Sequence, residues 1–260
     1  MKMEESKILQ GDCLEIMKTM SEESIDLAFF DPPFKLSQSY STSVDADNLL
    51  DVASIVQCSI ELKRIVKKGK FACVIYDNRI LPLVLKAFRD NGWKYLRFIT
   101  LYRKTGSAFC MHGWMSTSDV ILLFQNGEGK EKYFGKCHHD VYTKSKMEIE
   151  GFGHPAQKPL DICMDIVQRL SQEGDIVLDP YCGSGTIPVA CKILGRVGIG
   201  IDSSKEYCQI ARERLSATPR TLPNGNPNGE FNKDLEATPK SASQTSLNPS
   251  IRRNLKKCYK

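Results

Sequence analysis

Short apolar runs and longer amphipathic stretches alternate along most of this chain. Lys7-Ile8-Leu9-Gln10, the run IDLAFF at 25–30, FACVIY at 71–76, and residues 93–102, 120–124, 176–178 and 197–201 read as strands. Between them apolar residues recur at helical spacing: Cys13 to Met20, then Leu50, Ala53, Val56 and Ile60 up to Ile65 and Val66, then Leu83, Leu85, Ala87 and Phe88. Further helices are expected over Pro159 to Leu170, Thr186 to Leu194 and Ser203 to Leu215. Gly69 is expected to end the helix before 71–76, and Asn91-Gly92 the following one. Strands alternating with helices of this length predict an α/β fold whose parallel or mostly parallel sheet is covered on both faces. Two segments fall outside the pattern. Residues 103–153 are rich in Gly, Lys and His without sustained periodicity, and the Pro/Asn/Ser/Thr-rich residues 216–260 hold too few apolar side chains to offset the entropy of ordering them, so a disordered basic tail is expected.

With 260 residues and 41% hydrophobic content the chain can bury a full core unaided. Its ten cysteines show no C-x-x-C spacing, no apolar run reaches membrane-spanning length, and Met1-Lys2-Met3-Glu4-Glu5 opens no signal region, so a reduced, soluble, cytoplasmic protein is expected. The net charge of +5 resides in the tail, which has eight Lys/Arg and three Asp/Glu and leaves 28 of each for residues 1–215. Inside that neutral part the signs segregate: residues 1–60 hold 4 basic and 11 acidic side chains, residues 61–104 hold 12 and 3. Either a basic face for a polyanion or a charge-laced helix surface has this composition.

Two motifs carry chemistry. DPPF, residues 31–34, follows the strand 25–30, and consecutive prolines make the backbone there stiff and poor in donors, leaving its carbonyls as acceptors. A plain strand terminator would look the same. LDPYCGSGT, residues 178–186, leaves a strand through Asp179 and Pro180, turns on Gly183, Ser184 and Gly185, and enters a helix at Thr186. Such a loop lets backbone approach a ligand and places a helix N-terminus behind it. The next strand, VGIGID, ends in Asp202, where an acid can take the ribose hydroxyls of an adenosine ligand. The glycine pattern is too short for the dinucleotide fingerprint, so a nucleoside cofactor lacking a pyrophosphate fits better.

DPPF, HPAQKPL at 154–160, LDPYCGSGT and IGID at 199–202, in that order, resemble the DNA amino-methyltransferases that use S-adenosylmethionine. The catalytic motif precedes the cofactor motif, which resembles the permuted beta arrangement. The resemblance spans roughly residues 7–215 and implies a Rossmann-like class I methyltransferase sheet of seven strands with an antiparallel pair, and a short target-recognition insertion at 103–153. It implies catalytic roles for Asp31, Pro32, Pro33 and Phe34: the Asp31 carboxylate and Pro32 carbonyl accept the N–H groups of an exocyclic amine, and Phe34 stacks on a base taken out of the duplex. For the cofactor it implies Asp12, His154, Gln157, Lys158, Asp179, Pro180, Gly183, Ser184, Gly185, Thr186 and Asp202. Asp12 also reads as an ordinary turn aspartate, and His154, Gln157 and Lys158 as a loop before a helix.

The resemblance further implies double-stranded DNA as substrate, no membrane association, and either half of a restriction system with a cognate restriction endonuclease as partner or a solitary or phage-borne enzyme; proteins of this kind are often homodimers. Aspartate at the head of DPPF favours adenine N6, since cytosine-N4 enzymes of this type more often have serine there. Cytosine N4, RNA methylation, and a catalytically silent DNA-binding protein that kept the fold are the alternatives. No Pro-Cys pair exists for covalent attack on cytosine carbon 5. Cys110, His112, Cys137, His138 and His139 match no standard finger spacing, so no metal is expected.

Overall fold

The computed structural model describes residues 5–32, 46–76, 81–103, 110–111, 114–115, 117–129, 133–134, 138–144 and 158–219. Pro33, Phe34, His154, Gln157 and the tail from 220 lie outside the described residues. In chain order the elements are β1 (Lys7–Gln10), α1 (Cys13–Lys18), β2 (Ile25–Phe30), α2 (Ala46–Ile65), β3 (Val66–Tyr76), α3 (Leu81–Asp90), β4 (Trp93–Arg103) and β5 (Cys110–Met111). They continue with β6 (Trp114–Met115), β7 (Ser118–Asn126), β8 (Val141–Lys144), α4 (Leu160–Leu170), β9 (Ile176–Asp179), α5 (Thr186–Ile193), β10 (Val197–Asp202) and α6 (Lys205–Ala217).

Eight strands form one sheet in the order β1-β10-β9-β2-β3-β7-β4-β8, and β5 pairs with β6 separately. From β1 to β3 all neighbours are parallel, β7 is antiparallel to both β3 and β4, and β8 is parallel to β4. The alternation of sequence therefore builds the expected mixed α/β sheet, with one strand more than the seven implied. The extra strand is β8, inside the stretch without periodicity: VYTK stands among polar and charged residues with no helical pattern beside it to set it off as a strand. Tertiary contacts hold it. The Thr100 N–H donates to the Asp140 carbonyl at 2.8 Å, and the Tyr142 hydroxyl hydrogen-bonds the Asp165 carboxylate on α4.

Successive strand residues point to opposite faces, so both faces of the buried strands must be apolar and covered. Leu27 and Phe29 of β2, with Cys73 and Ile75 of β3, meet α4, α5 and α6 through Ile166, Val167, Val189 and Ala211. Ala28 and Phe30, with Val74 and Tyr76, meet α1, α2 and α3 through Met17, Leu62 and Phe88. The result is a three-layer sandwich.

Gly69 does not end a helix. α2 stops at Ile65, and Gly69 lies within β3 at φ 77°, where the pairing with β2 skips from Ile25↔Val66 to Leu27↔Phe71. This irregularity bends the strand, and the Gln125 side-chain amide donates to the Gly69 carbonyl at 3.0 Å. The basic stretch 61–70 sits at the same amino-terminal end of the parallel strands, occupied by carboxylates and carbonyls. Lys67 and Lys70 pair with Asp26 at 2.9 and 3.2 Å, Lys70 also with Asp175 at 3.1 Å, and Arg64 holds Glu61 and the carbonyls of Met17 and Met20. That part of the positive charge belongs to the charge-laced surface, and it lies at the opposite end of the sheet from Asp31 and Pro32.

Candidate active site

β9 and β2 are adjacent and parallel, yet α5 leaves β9 toward one face while α2, the next described helix after β2, packs on the other. Connections that diverge in this way open a crevice beyond the carboxyl ends of the two strands. A cavity of about 560 Å³ occupies that place. Asp12, Asp31, Pro32, Lys158, Asp179, Pro180, Gly183, Ser184, Thr186 and Asp202 all line it, although they come from separate stretches of sequence.

Asp202 is the hub of its floor. Its Oδ2 accepts the Gly183 N–H at 2.9 Å, its Oδ1 accepts the Ser204 N–H at 2.8 Å, and its backbone carbonyl accepts the Gly11 N–H at 2.9 Å. One residue thereby ties together the loops that follow β9, β10 and β1. Asp179 is buried, with Oδ1 accepting the Tyr181 N–H at 3.1 Å. Burial pushes its carboxyl well above the usual carboxylate range, and the nearby charges of Asp31 and Asp202 add to the effect against that hydrogen bond. Asp12 caps α1, its Oδ1 accepting from Leu14 at 2.8 Å and Glu15 at 3.2 Å, and lines the cavity as well. Turn aspartate and cavity residue are thus one and the same.

The two glycines of the loop do different work. Gly183 lines the cavity at φ 49°, while Gly185, the N-cap of α5 at φ 80°, does not line it. A Cβ on Gly185 would stand 2.9 Å from the Ala211 Cβ, so its bare backbone lets α5 and α6 approach. Lys158, just ahead of α4, reaches Asp31 instead of standing alone: Nζ lies 2.5 Å from Oδ2.

Several lining or supporting residues are not evident from the sequence. Arg214 of α6 is 5% exposed and donates to the Ser184 carbonyl at 2.6 Å, the Ser184 Oγ at 2.9 Å and the Thr186 Oγ1 at 3.4 Å, so a buried guanidinium grips the loop from behind. Its one signal is a charged residue next to the apolar positions Cys208, Ala211 and Leu215 of an amphipathic helix. Tyr181 packs against the buried cluster that holds Cys13 and Cys58 and sets its ring 6.0 Å from that of Phe30, anchoring the loop to the core. Cys182 is buried in the core cluster, as a small packing residue would be, and its thiol is pushed up by burial.

The donor set suits a cation that also carries hydroxyls. Four carboxylates face the cavity, and Lys158 is the one cation among its described lining residues. A sulfonium with an ammonium and a ribose meets both requirements, and the volume lies within the range of small-molecule sites.

The sequence profile of the N6/N4 methyltransferase family, described as DNA methylase, matches residues 25–213. The chain is 32% identical over 244 residues to the type II methyltransferase M2.DpnII of Streptococcus pneumoniae, covering 82% of this chain and 91% of that one. It is 29% identical over 236 residues to the type II methyltransferase M.HpaI of Haemophilus parainfluenzae, covering 82% and 75%. Among solved structures, the complex of M1.HpyAVI with S-adenosylmethionine superposes with a TM-score of 0.65 at 26% identity over 80% of this chain and 98% of that one. The cytosine-N4-specific PvuII methyltransferase shares the fold, with a TM-score of 0.71 at 16% identity over 82% and 86%. The chain belongs to the N6/N4 family of DNA methylases, enzymes that take their methyl group from S-adenosylmethionine.

Proposed function

We propose that the chain methylates the exocyclic N6 of adenine at a specific site in double-stranded DNA, in the cytoplasm, as the protective partner of a restriction endonuclease. The type II names of the relatives support the last part. The observation that carries the reading of the target is the Asp31 carboxylate at the rim of the cavity, directly after β2.

Bound S-adenosylmethionine supplies an electrophilic methyl group. Gly183, Ser184 and Thr186 form the cradle for it, Asp202 and Asp12 offer acceptors for its hydroxyls and amine, and Asp179 stiffens the loop from beneath. The amine of adenine is a poor nucleophile because its lone pair is delocalised into the ring. Asp31 and the Pro32 carbonyl accept its two N–H groups and draw the lone pair back onto nitrogen. The base must leave the duplex to reach them. Holding amine and methyl in line then supplies much of the acceleration. Residues 103–153 serve as the target-recognition insertion in this reading, with β8 and its docking on α4 fixing where the insertion returns to the body.

Incubation with S-adenosylmethionine and unmethylated duplex DNA, followed by nucleoside mass spectrometry, tests the proposal. N6-methyladenine from the wild type and a loss of roughly 100-fold or more in Asp31→Ala are expected. N4-methylcytosine would move the target and keep the mechanism. Cofactor binding without any methylated base would reduce the chain to a silent DNA-binding relative.

A further inference from the structure

Asp31 and Lys158 are distant in sequence and meet at the cavity rim, with Nζ 2.5 Å from Oδ2. The side chains are 24% and 22% exposed, so the pair is largely sheltered, and attraction between such charges exceeds that of a surface pair. The only other charged side chains among the described lining residues are the carboxylates of Asp12, Asp179 and Asp202, which repel Asp31. A carboxylate in such company is fixed in direction by a cation beside it. An ammonium bound to one of its oxygens supplies this.

We propose that Lys158 is a positioning residue for Asp31: it holds the carboxylate aimed at the incoming amine, rather than serving as a ligand of the cofactor. The proposal rests on the reading of Asp31 as the acceptor of the target amine. Lys158 precedes α4, whose buried side chains Ile162, Ile166 and Val167 anchor it in the core, so the ammonium is presented from a rigid base. The flexible lysine stem then needs no second anchor.

The test uses the full-length chain with unmethylated duplex DNA, comparing wild type, Lys158→Met, Lys158→Gln, Lys158→Arg and Asp31→Ala, each checked for a wild-type thermal melt. Turnover is measured at saturating substrates, and S-adenosylmethionine affinity separately by calorimetry without DNA. Lys158→Met and Lys158→Gln are expected to lower kcat by about 10-fold to 100-fold, as misplacement of a reacting partner does. Affinity for S-adenosylmethionine should stay within about threefold, and Lys158→Arg should restore most of the turnover. Unchanged kcat in both neutral variants overturns the proposal. So does a loss of about tenfold or more in cofactor affinity with kcat preserved, which would make Lys158 a cofactor ligand. If Asp31→Ala turns over normally, the reading of Asp31 fails and this one with it. If Asp31→Ala is inactive while the neutral Lys158 variants are normal, only the role of Lys158 fails.

Discussion

Asp26 shows how a buried charge is held at a single residue. Its carboxylate is 4% exposed, takes Lys67 at 2.9 Å on both oxygens and the Ile176 N–H at 3.1 Å, and has Lys70 alongside. Burial pushes the carboxyl up, but the Lys67 and Ile176 hydrogen bonds and the two ammonium charges outweigh it and hold it below the ordinary carboxylate value. A folded value below the unfolded one stabilises the protein above the unfolded value, about pH 4, and that contribution is lost as pH falls through the folded value. Asp26→Asn should therefore cost about 2 kcal/mol at pH 7, discounted from a fully buried pair because Lys67 is 41% exposed. Urea melts of both proteins should converge as pH drops below about 4, and a gap that persists would assign the effect to packing. Residues of the cavity are legible where their partners stand close in sequence, as in DPYCGSGT. Arg214 and the Asp31 contact of Lys158 are not, because they depend on chain segments brought together only by the sheet.

At the scale of elements, close approach between α5 and β10 sets the position of the cofactor loop. A Cβ on Gly198 would lie 2.6 Å from the Pro188 Cα, and one on Gly200 would lie 2.9 Å from the Cys182 Sγ. Backbone cannot give way as a flexible side chain does, so Gly198→Ala must push α5, and the loop at its start, off the sheet. A destabilisation of about 2 kcal/mol is expected, with weaker binding of S-adenosylmethionine by calorimetry. Gly174→Ala is the control: φ is 83° with nothing within 4 Å, so only backbone strain of about 1 kcal/mol applies and cofactor affinity should be kept. Equal reductions of affinity in the two variants would break the link between this packing and the loop. VGIGID announces a strand with two bare positions, which is the signal of close approach. β8 carries no comparable signal, and Gly69 misleads because a glycine after a helical pattern reads as a stop whether it caps a helix or bends the next strand. Tyr142 carries the docking of β8 on α4 through Asp165, so Tyr142→Phe should cost about 1 kcal/mol in a denaturant melt.

At the scale of the whole molecule, the charge among the described residues of the cavity suits the cofactor, and the net positive charge of the chain lies elsewhere. The described residues that line the cavity include four carboxylates and one lysine, which suits a cationic cofactor. The basic cluster of residues 61–70 lies at the far end of the sheet and is largely occupied by Asp26, Asp175 and Glu61. Residues 1–215 carry no net charge, and the whole excess of +5 comes from residues 216–260, including Arg252, Arg253, Lys256, Lys257 and Lys260. Attraction to a polyanion must then draw heavily on that tail. Truncation after residue 219 leaves α6 intact, so the melting temperature and the affinity for S-adenosylmethionine should not change. DNA binding measured between about 50 and 200 mM salt should weaken, with the slope of log K against log salt falling by roughly 0.9 for each phosphate that the tail neutralises. A drop of about 3 to 5 would assign most of the phosphate neutralisation to the tail. An unchanged slope would return it to the lysines and arginines of residues 103–153, where the recognition insertion would then both hold and read the duplex.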